Sequence, residues 1–146
     1  SYIFRFVSIL GPRYSHGHVL DFYNKLNKNK KILNVLGDGN QKKSYLHVYD
    51  CIDAIFKALK YKNKSHVSIY NLGNKNYISV KQSIKIITDN LKLKPKLKFQ
   101  KQKRGWIGDV PFILLDINKI KKTGWRAKFS IKESIINTLN YLKKKK

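Results

Sequence analysis

Three features of the 146-residue sequence predict an α/β fold. Apolar β-rich runs alternate along the chain with segments whose apolar residues recur at helical spacing. The first run, Ser1 to Leu10, is apolar on both sides apart from Arg5 and Ser8, the pattern of a strand buried in a parallel sheet. Several helical segments are headed by Ser or Asp, whose side-chain oxygens can accept from the free N–H groups of a first turn.

In order, Gly11-Pro12-Arg13 ends the first strand, and His18 to Asn27 places Val19, Phe22, Tyr23 and Leu26 on one helical face. Ile32 to Leu36 reads as a short strand closed by the turn Gly37-Asp38-Gly39-Asn40. Ser44 to Val48 is a further strand, after which Asp50 is expected to cap a helix striped by Ile52, Ile55, Phe56 and Leu59. Val67 to Leu72 is a strand ending at Gly73; Ser79 heads a helix with Val80, Ile84, Ile87 and Leu91 on one face. The Leu/Lys alternation from Leu91 to Phe99, around Pro95, reads as an edge strand. Asp116 is expected to cap a short helix that Gly124 ends, with Trp125 packed behind it. Ser130 and Glu133 form a capping box that opens a last helix through Leu142.

Size and composition bound the possibilities. A mass of 17.1 kDa with 42% apolar residues suits one packed domain or one half of a larger enzyme. The chain starts at Ser1, contains no Met and opens inside an apolar run, so it is expected to be the later part of a longer protein. No apolar run approaches the roughly 18 residues of a membrane span, and no signal-peptide pattern is present, so a cytoplasmic location is expected. Cys51 is the only cysteine, which excludes an intrachain disulfide and a cysteine-based zinc site.

The net charge of +24 points to an anionic partner. Yet the excess is lysine: Arg5, Arg13, Arg104 and Arg126 are the only arginines, and Lys, Ile, Asn and Tyr abound together, as A/T-rich codons would produce. Nucleic-acid readers favour the arginine fork and aromatic residues set among basic ones, so nucleic acid is not the expected partner. His16 and His18, two apart with no carboxylate cluster, are a poor metal spacing. Cys51 could be a thiolate at a helix start, but a small buried residue is the plainer reading. Gly37-Asp38-Gly39 leads into a strand and reads as a tight turn, not a phosphate cradle. What remains is a set of cations, Lys42, Lys43 and Arg104, with one phenol, Tyr45, and one carboxylate, Asp109, that could grip a diphosphate and a ribose.

The order of these pieces resembles a known family. Arg5 to Arg13 (RFVSILGPR) is similar to the R-x-x-N-x-x-G-P-R strand end of NAD-dependent sugar-nucleotide epimerases and dehydratases, members of the extended short-chain dehydrogenase/reductase family of the UDP-glucose 4-epimerase-like type. Leu33 to Asp50 (LNVLGDGNQKKSYLHVYD), Ile69 to Gly73 (IYNLG) followed by Ile78-Ser79-Val80, Gly108-Asp109, Asp116 to Lys119, and Gly124-Trp125 resemble that family's later motifs in order and spacing. The resemblance implies that residues 1–146 are the C-terminal, substrate-binding portion of such a fold. That portion would hold a few strands of a parallel Rossmann-type sheet and a small α/β subdomain.

It further implies that the N-terminal NAD-binding half, with its glycine-rich loop and catalytic Tyr-x-x-x-Lys, is absent here. NAD is thus expected in the intact family enzyme and not on this chain alone, and no catalytic residue is assigned. Carried over residue by residue, the substrate grip falls on Ser8 (where the family has Asn), on Asn34 and Leu36 for the base edge, and on Lys43 for phosphate in place of Arg. Tyr45 and Asp109 take the ribose side. Arg104 takes the second phosphate, with a two-residue shift because Trp106 occupies the usual place. The implied partners are a nucleoside-diphosphate sugar, the missing half and, as the family allows, a second copy in a homodimer. The alternative is a non-catalytic basic module for RNA or acidic polysaccharide.

Overall fold

A computed structural model describes residues 1–62, 65–101, 110 and 112–144. The first apolar run is two strands, β1 (Tyr2–Phe6) and β2 (Ser8–Leu10), divided at Val7. A loop leads to α1 (His18–Lys28), then β3 (Ile32–Val35), a two-residue β4 (Lys42–Lys43) and β5 (Tyr45–His47). Helix α2 (Val48–Lys60) follows directly, then β6 (Ser68–Leu72), a short β7 (Ile78–Ser79) and α3 (Val80–Leu91). The chain ends with β8 (Lys96–Phe99), β9 (Phe112–Ile113), α4 (Asn118–Lys121) and α5 (Ile131–Lys144).

Pairing is mostly parallel, as crossover helices require. β1 runs beside β6 with Tyr2 opposite Ser68, β2 beside β5 with Ser8 opposite Tyr45, and β3 beside β8 with Ile32 opposite Lys96. β4 lies between β7, antiparallel, and β9, parallel. Two cores result. One gathers Val19, Phe22 and Leu26 of α1 with Ile84 and Ile87 of α3 and Ile135 and Leu139 of α5. The other sets Leu46, Ala54, Tyr70 and Leu72 around Trp125, whose side chain is wholly buried.

Several expectations are corrected. The first run is not buried on both faces: Tyr2, Ile3 and Phe6 are exposed, because β1 has only β6 beside it among the described residues. Val48 begins α2 instead of ending a strand. The stripe Ile52, Phe56 and Leu59 faces away from the core, Ile55 is only partly buried, and α2 packs through Cys51, Ala54 and Ala58. Small side chains let the helix approach the sheet closely, so the apolar stripe is left outside. The Leu91-to-Phe99 run divides, Leu91 ending α3 and Lys96 starting β8.

Asp50 is not the cap of α2. That position is held by His47, whose Nδ1 accepts from Tyr49 N at 3.2 Å. Asp50 is buried in the first turn, where its two carboxylate oxygens accept from the N–H groups of Lys128 and Phe129, each at 3.0 Å. Its carbonyl accepts from Trp125 Nε1 at 3.0 Å. Asp116 caps α4 from one residue further out, accepting from Asn118 N at 2.8 Å, since Ile117 holds the cap position. Ser79 caps α3 as expected, and does so within a capping box with Gln82; the expected capping box of Ser130 with Glu133 forms too. Gly124 ends its helix at φ +78°, a left-handed turn that glycine enters without strain.

The Asp50→Ala variant is expected to lose about 2–4 kcal/mol in urea unfolding, because two N–H groups lose a charged acceptor, whereas Ser79→Ala loses about 1 kcal/mol. At high concentration the purified chain should self-associate through the exposed faces of β1 and α2. Light scattering that reports a clean monomer would contradict this.

Candidate functional site

Parallel pairing of β2 with β5 sets Ser8 directly opposite Tyr45. The turn after β3 returns the chain through Gln41 to Lys43, on β4 just ahead of Tyr45. Together with the start of α1 these segments enclose a cavity of about 370 Å³. Ser8, Leu36, Lys43 and Tyr45, four of the residues singled out by resemblance, line it. Asn34 does not: it is exposed on β3, and its carbonyl accepts weakly from Lys25 Nζ at 3.5 Å. Arg104 and Asp109, with Trp106, lie outside the described residues.

The sequence reading missed the wall supplied by α1 and its approach: Tyr14, His18, Asp21 and Phe22, together with Gln41 and Val80. Phe22 and Leu36 make an apolar surface beside the polar groups. Asp21 brings a carboxylate, but it pairs with Lys25 at 2.8 Å, which tempers its repulsion of an anion. Gly17 must stay glycine, since its φ is +107° and a Cβ there would collide with the Tyr14 hydroxyl. His18 and Phe22 stand four apart on α1, a spacing that sets both on one helix face.

His18 ties the wall together. Its Nε2 lies 2.6 Å from Ser83 Oγ of α3 and its Nδ1 lies 3.3 Å from the Tyr45 hydroxyl. Its ring meets Phe22 edge-on at 5.8 Å and Tyr45 at 5.1 Å. Removal from water, and then the nearby Lys43 ammonium, push its pKa down to about 4. The imidazole is therefore neutral near pH 7 and leaves the positive charge to Lys43. Burial, opposed by a backbone hydrogen bond from Val19, raises the Tyr14 phenol to about 12, so it too is neutral.

Other candidates dissolve. Burial raises the Cys51 thiol pKa, which suits a packing residue and not a nucleophile. No group of three or more His, Cys, Asp or Glu side chains that could hold a metal occurs among the described residues. Tyr77 and Lys81 have the Tyr-x-x-x-Lys spacing, but they serve elsewhere. Tyr77 packs edge-on against Phe112 beneath Lys42, while Lys81 Nζ bonds Asn40 Oδ1 at 2.9 Å. No helix among the described residues is long and apolar enough to cross a membrane.

These features define an α/β chain of parallel strands with an aromatic, cation-bearing cavity at the ends of β2 and β5. The profile of the NAD dependent epimerase/dehydratase family matches residues 1–73. A putative UDP-glucose 4-epimerase of Methanocaldococcus jannaschii is 30% identical over 97% of this chain and 45% of its own length. The crystal structure of a UDP-galactose 4-epimerase superposes with a TM-score of 0.86 at 31% identity, over 99% of this chain and 46% of that one. MoeE5, solved with UDP-glucuronic acid and NAD, has the same fold: its TM-score is 0.84 at 18% identity, over 99% of this chain and 48% of its own. The chain belongs to the NAD-dependent epimerase/dehydratase family and has part of its extended short-chain dehydrogenase fold. It spans about half the length of the relatives it matches.

Gly11, which follows β2, and Gly39, between β3 and β4, are closely packed: a Cβ on Gly11 would lie 2.8 Å from Val48 Cγ1, and one on Gly39 would lie 2.6 Å from Phe99 Cε1.

Folded His18 releases its proton at about 4 against 6.5 when unfolded, so its contribution to stability is whole above pH 6.5 and is lost as pH falls towards 4. The His47 pKa is lowered as well, by burial that Asp50 partly offsets. Urea midpoints followed from pH 7 to pH 5 should therefore fall, and His18→Gln should remove part of that fall, on the order of 1–2 kcal/mol by pH 5.

Proposed function

We propose that this chain is the part of an NAD-dependent sugar-nucleotide epimerase, of the UDP-glucose 4-epimerase type, that holds the nucleoside diphosphate sugar. The observation carrying this reading is the convergence of Ser8, Leu36, Lys43 and Tyr45, from three separate segments, on one cavity. Lys43 supplies an ammonium for the diphosphate, and the Ser8 hydroxyl a neutral donor beside it. Tyr45, its hydroxyl set by His18, serves the ribose side, and Leu36 with Phe22 gives the base an apolar seat. Arg104 and Asp109 would add a second phosphate contact and a ribose contact. Such a grip presents the sugar in one orientation, which is this chain's contribution to the reaction. Redox chemistry is assigned to the part of the family fold that this chain does not span.

That completing partner is a second α/β half. A parallel strand is stable when flanked and covered on both faces, and β1 is exposed at Tyr2, Ile3 and Phe6. The outer stripe of α2, with Tyr49, Ile52, Phe56 and Leu59, offers a further apolar surface. A strand laid along β1 and a helix packed on α2 would cover both. That matches the share of the relatives' length this chain does not span.

Calorimetric titration of the chain with UDP-glucose is expected to show saturable 1:1 binding. Lys43→Ala should weaken it about tenfold, the loss of one charge-assisted contact. The +24 charge is the one observation that favours a basic module for RNA or acidic polysaccharide. Indifference to UDP-glucose, with polyanion binding that falls steeply with salt, would establish that reading instead.

A further inference from the structure

His18 lines the cavity beside Lys43, and its ring is held by two hydroxyls: Ser83 Oγ lies 2.6 Å from Nε2 and the Tyr45 oxygen 3.3 Å from Nδ1. A hydroxyl turns from donor to acceptor by rotation, so both contacts survive when the imidazole gains a proton. His47 differs: its Nδ1 accepts from the backbone N–H of Tyr49, which cannot reverse. Charge around His18 is lopsided among the described residues. Lys43 is the cation acting on it, whereas the Asp21 carboxylate on the same helix is taken up by Lys25 at 2.8 Å, and Tyr14 and Tyr45 bring phenols. From α3 the Ser83 hydroxyl faces the ring, while Lys81 Nζ bonds Asn40 Oδ1 and Lys85 pairs with Asp89. His16 is exposed and stacks on Tyr14. Burial, and then Lys43, keep His18 neutral near pH 7 in the chain alone.

We infer that His18 is the group at which this cavity takes up a proton when a nucleoside diphosphate sugar binds, so that binding tightens as pH falls. The inference rests on the nucleotide-sugar reading and adds a regulation of that site. A cavity of about 370 Å³ is roughly 9 Å across, close to one screening length at physiological salt, so a diphosphate held by Lys43 acts on His18 with little screening. Its two negative charges offset the Lys43 ammonium and favour the imidazolium. The proton comes from solvent. Both ring nitrogens then donate, to Ser83 Oγ and to the Tyr45 oxygen. The Tyr45 O–H is thereby turned away from His18, and a phosphate or ribose oxygen in the cavity is an acceptor for it. The same proton that answers the ligand's charge thus orients the phenol that meets the ligand.

The test is calorimetric titration of the chain with UDP-glucose, whose diphosphate stays ionised from pH 7.5 to pH 5, with circular dichroism confirming the fold at each pH. At pH 5.5, between the unliganded value of about 4 and the ordinary 6.5, buffers of different ionisation heat should report net proton uptake on binding. Affinity should rise about tenfold from pH 7.5 to pH 5, the order expected when the ligand offsets most of what burial and Lys43 withhold. His18→Gln, whose amide still donates to one hydroxyl and accepts from the other, should show neither the uptake nor the rise. Ser83→Ala keeps the imidazole but removes the acceptor for one of its two N–H groups, so uptake should shrink even where His18→Gln fails to fold. Wild-type affinity that does not change with pH, uptake that persists in His18→Gln, as a proton on His16 would give, or undiminished uptake in Ser83→Ala overturns the role of His18 and leaves the nucleotide-sugar reading standing. Absence of UDP-glucose binding at every pH overturns both.

Discussion

The lateral register of two short parallel strands decides what this molecule can do. β2 and β5 are each three residues long, yet their pairing sets Ser8 against Tyr45 and brings the turn that carries Gln41 and Lys43 onto the approach to α1. A slip of one residue would turn every side chain of β2 to the opposite face and withdraw the Ser8 hydroxyl from the cavity. Three-residue strands cannot hold a register by themselves. Buried Leu46 and Leu10 anchor them in different cores, and Gly11 N donates to Thr138 Oγ1 of α5 at 2.8 Å, which stops the end of β2 from sliding.

The second restraint comes from the far end of the chain. Asp50, at the start of α2, is bound through both carboxylate oxygens to the segment after Trp125, and its carbonyl receives the indole N–H. His47, one residue beyond Leu46, stacks on Phe129 with ring centroids 4.0 Å apart. The far end of β5, two residues past Tyr45, is thus clamped to residues 125–129, which do not line the cavity. Packing and the site are coupled here: loosening the Trp125 cluster frees the strand that positions Tyr45.

Polar groups within the cavity wall share the work unequally. His18 is satisfied on both ring nitrogens and held neutral, so it acts as a brace. Asp21 is paired with Lys25. Gln41 Oε1 is buried with no hydrogen-bond partner among the described residues.

Local patterns account for much of what was legible in the amino-acid order. The helical faces of α1 and α3, the cap at Ser79, the capping box at Ser130, and the left-handed Gly124 follow from side-chain spacing and backbone sterics, which act within a few residues. The motif order likewise carried the family, and with it Ser8, Leu36, Lys43 and Tyr45. Asp50 looked like a cap because its true acceptor role lies with N–H groups at 128 and 129, a pairing that no local window contains. The α2 stripe looked like core because apolar spacing names a face without saying what covers it. Only the tertiary structure brought His18, Gln41 and Tyr14 to the cavity and left Asn34 outside it, because cavities are made where distant segments meet, and that meeting is decided by strand register and core packing.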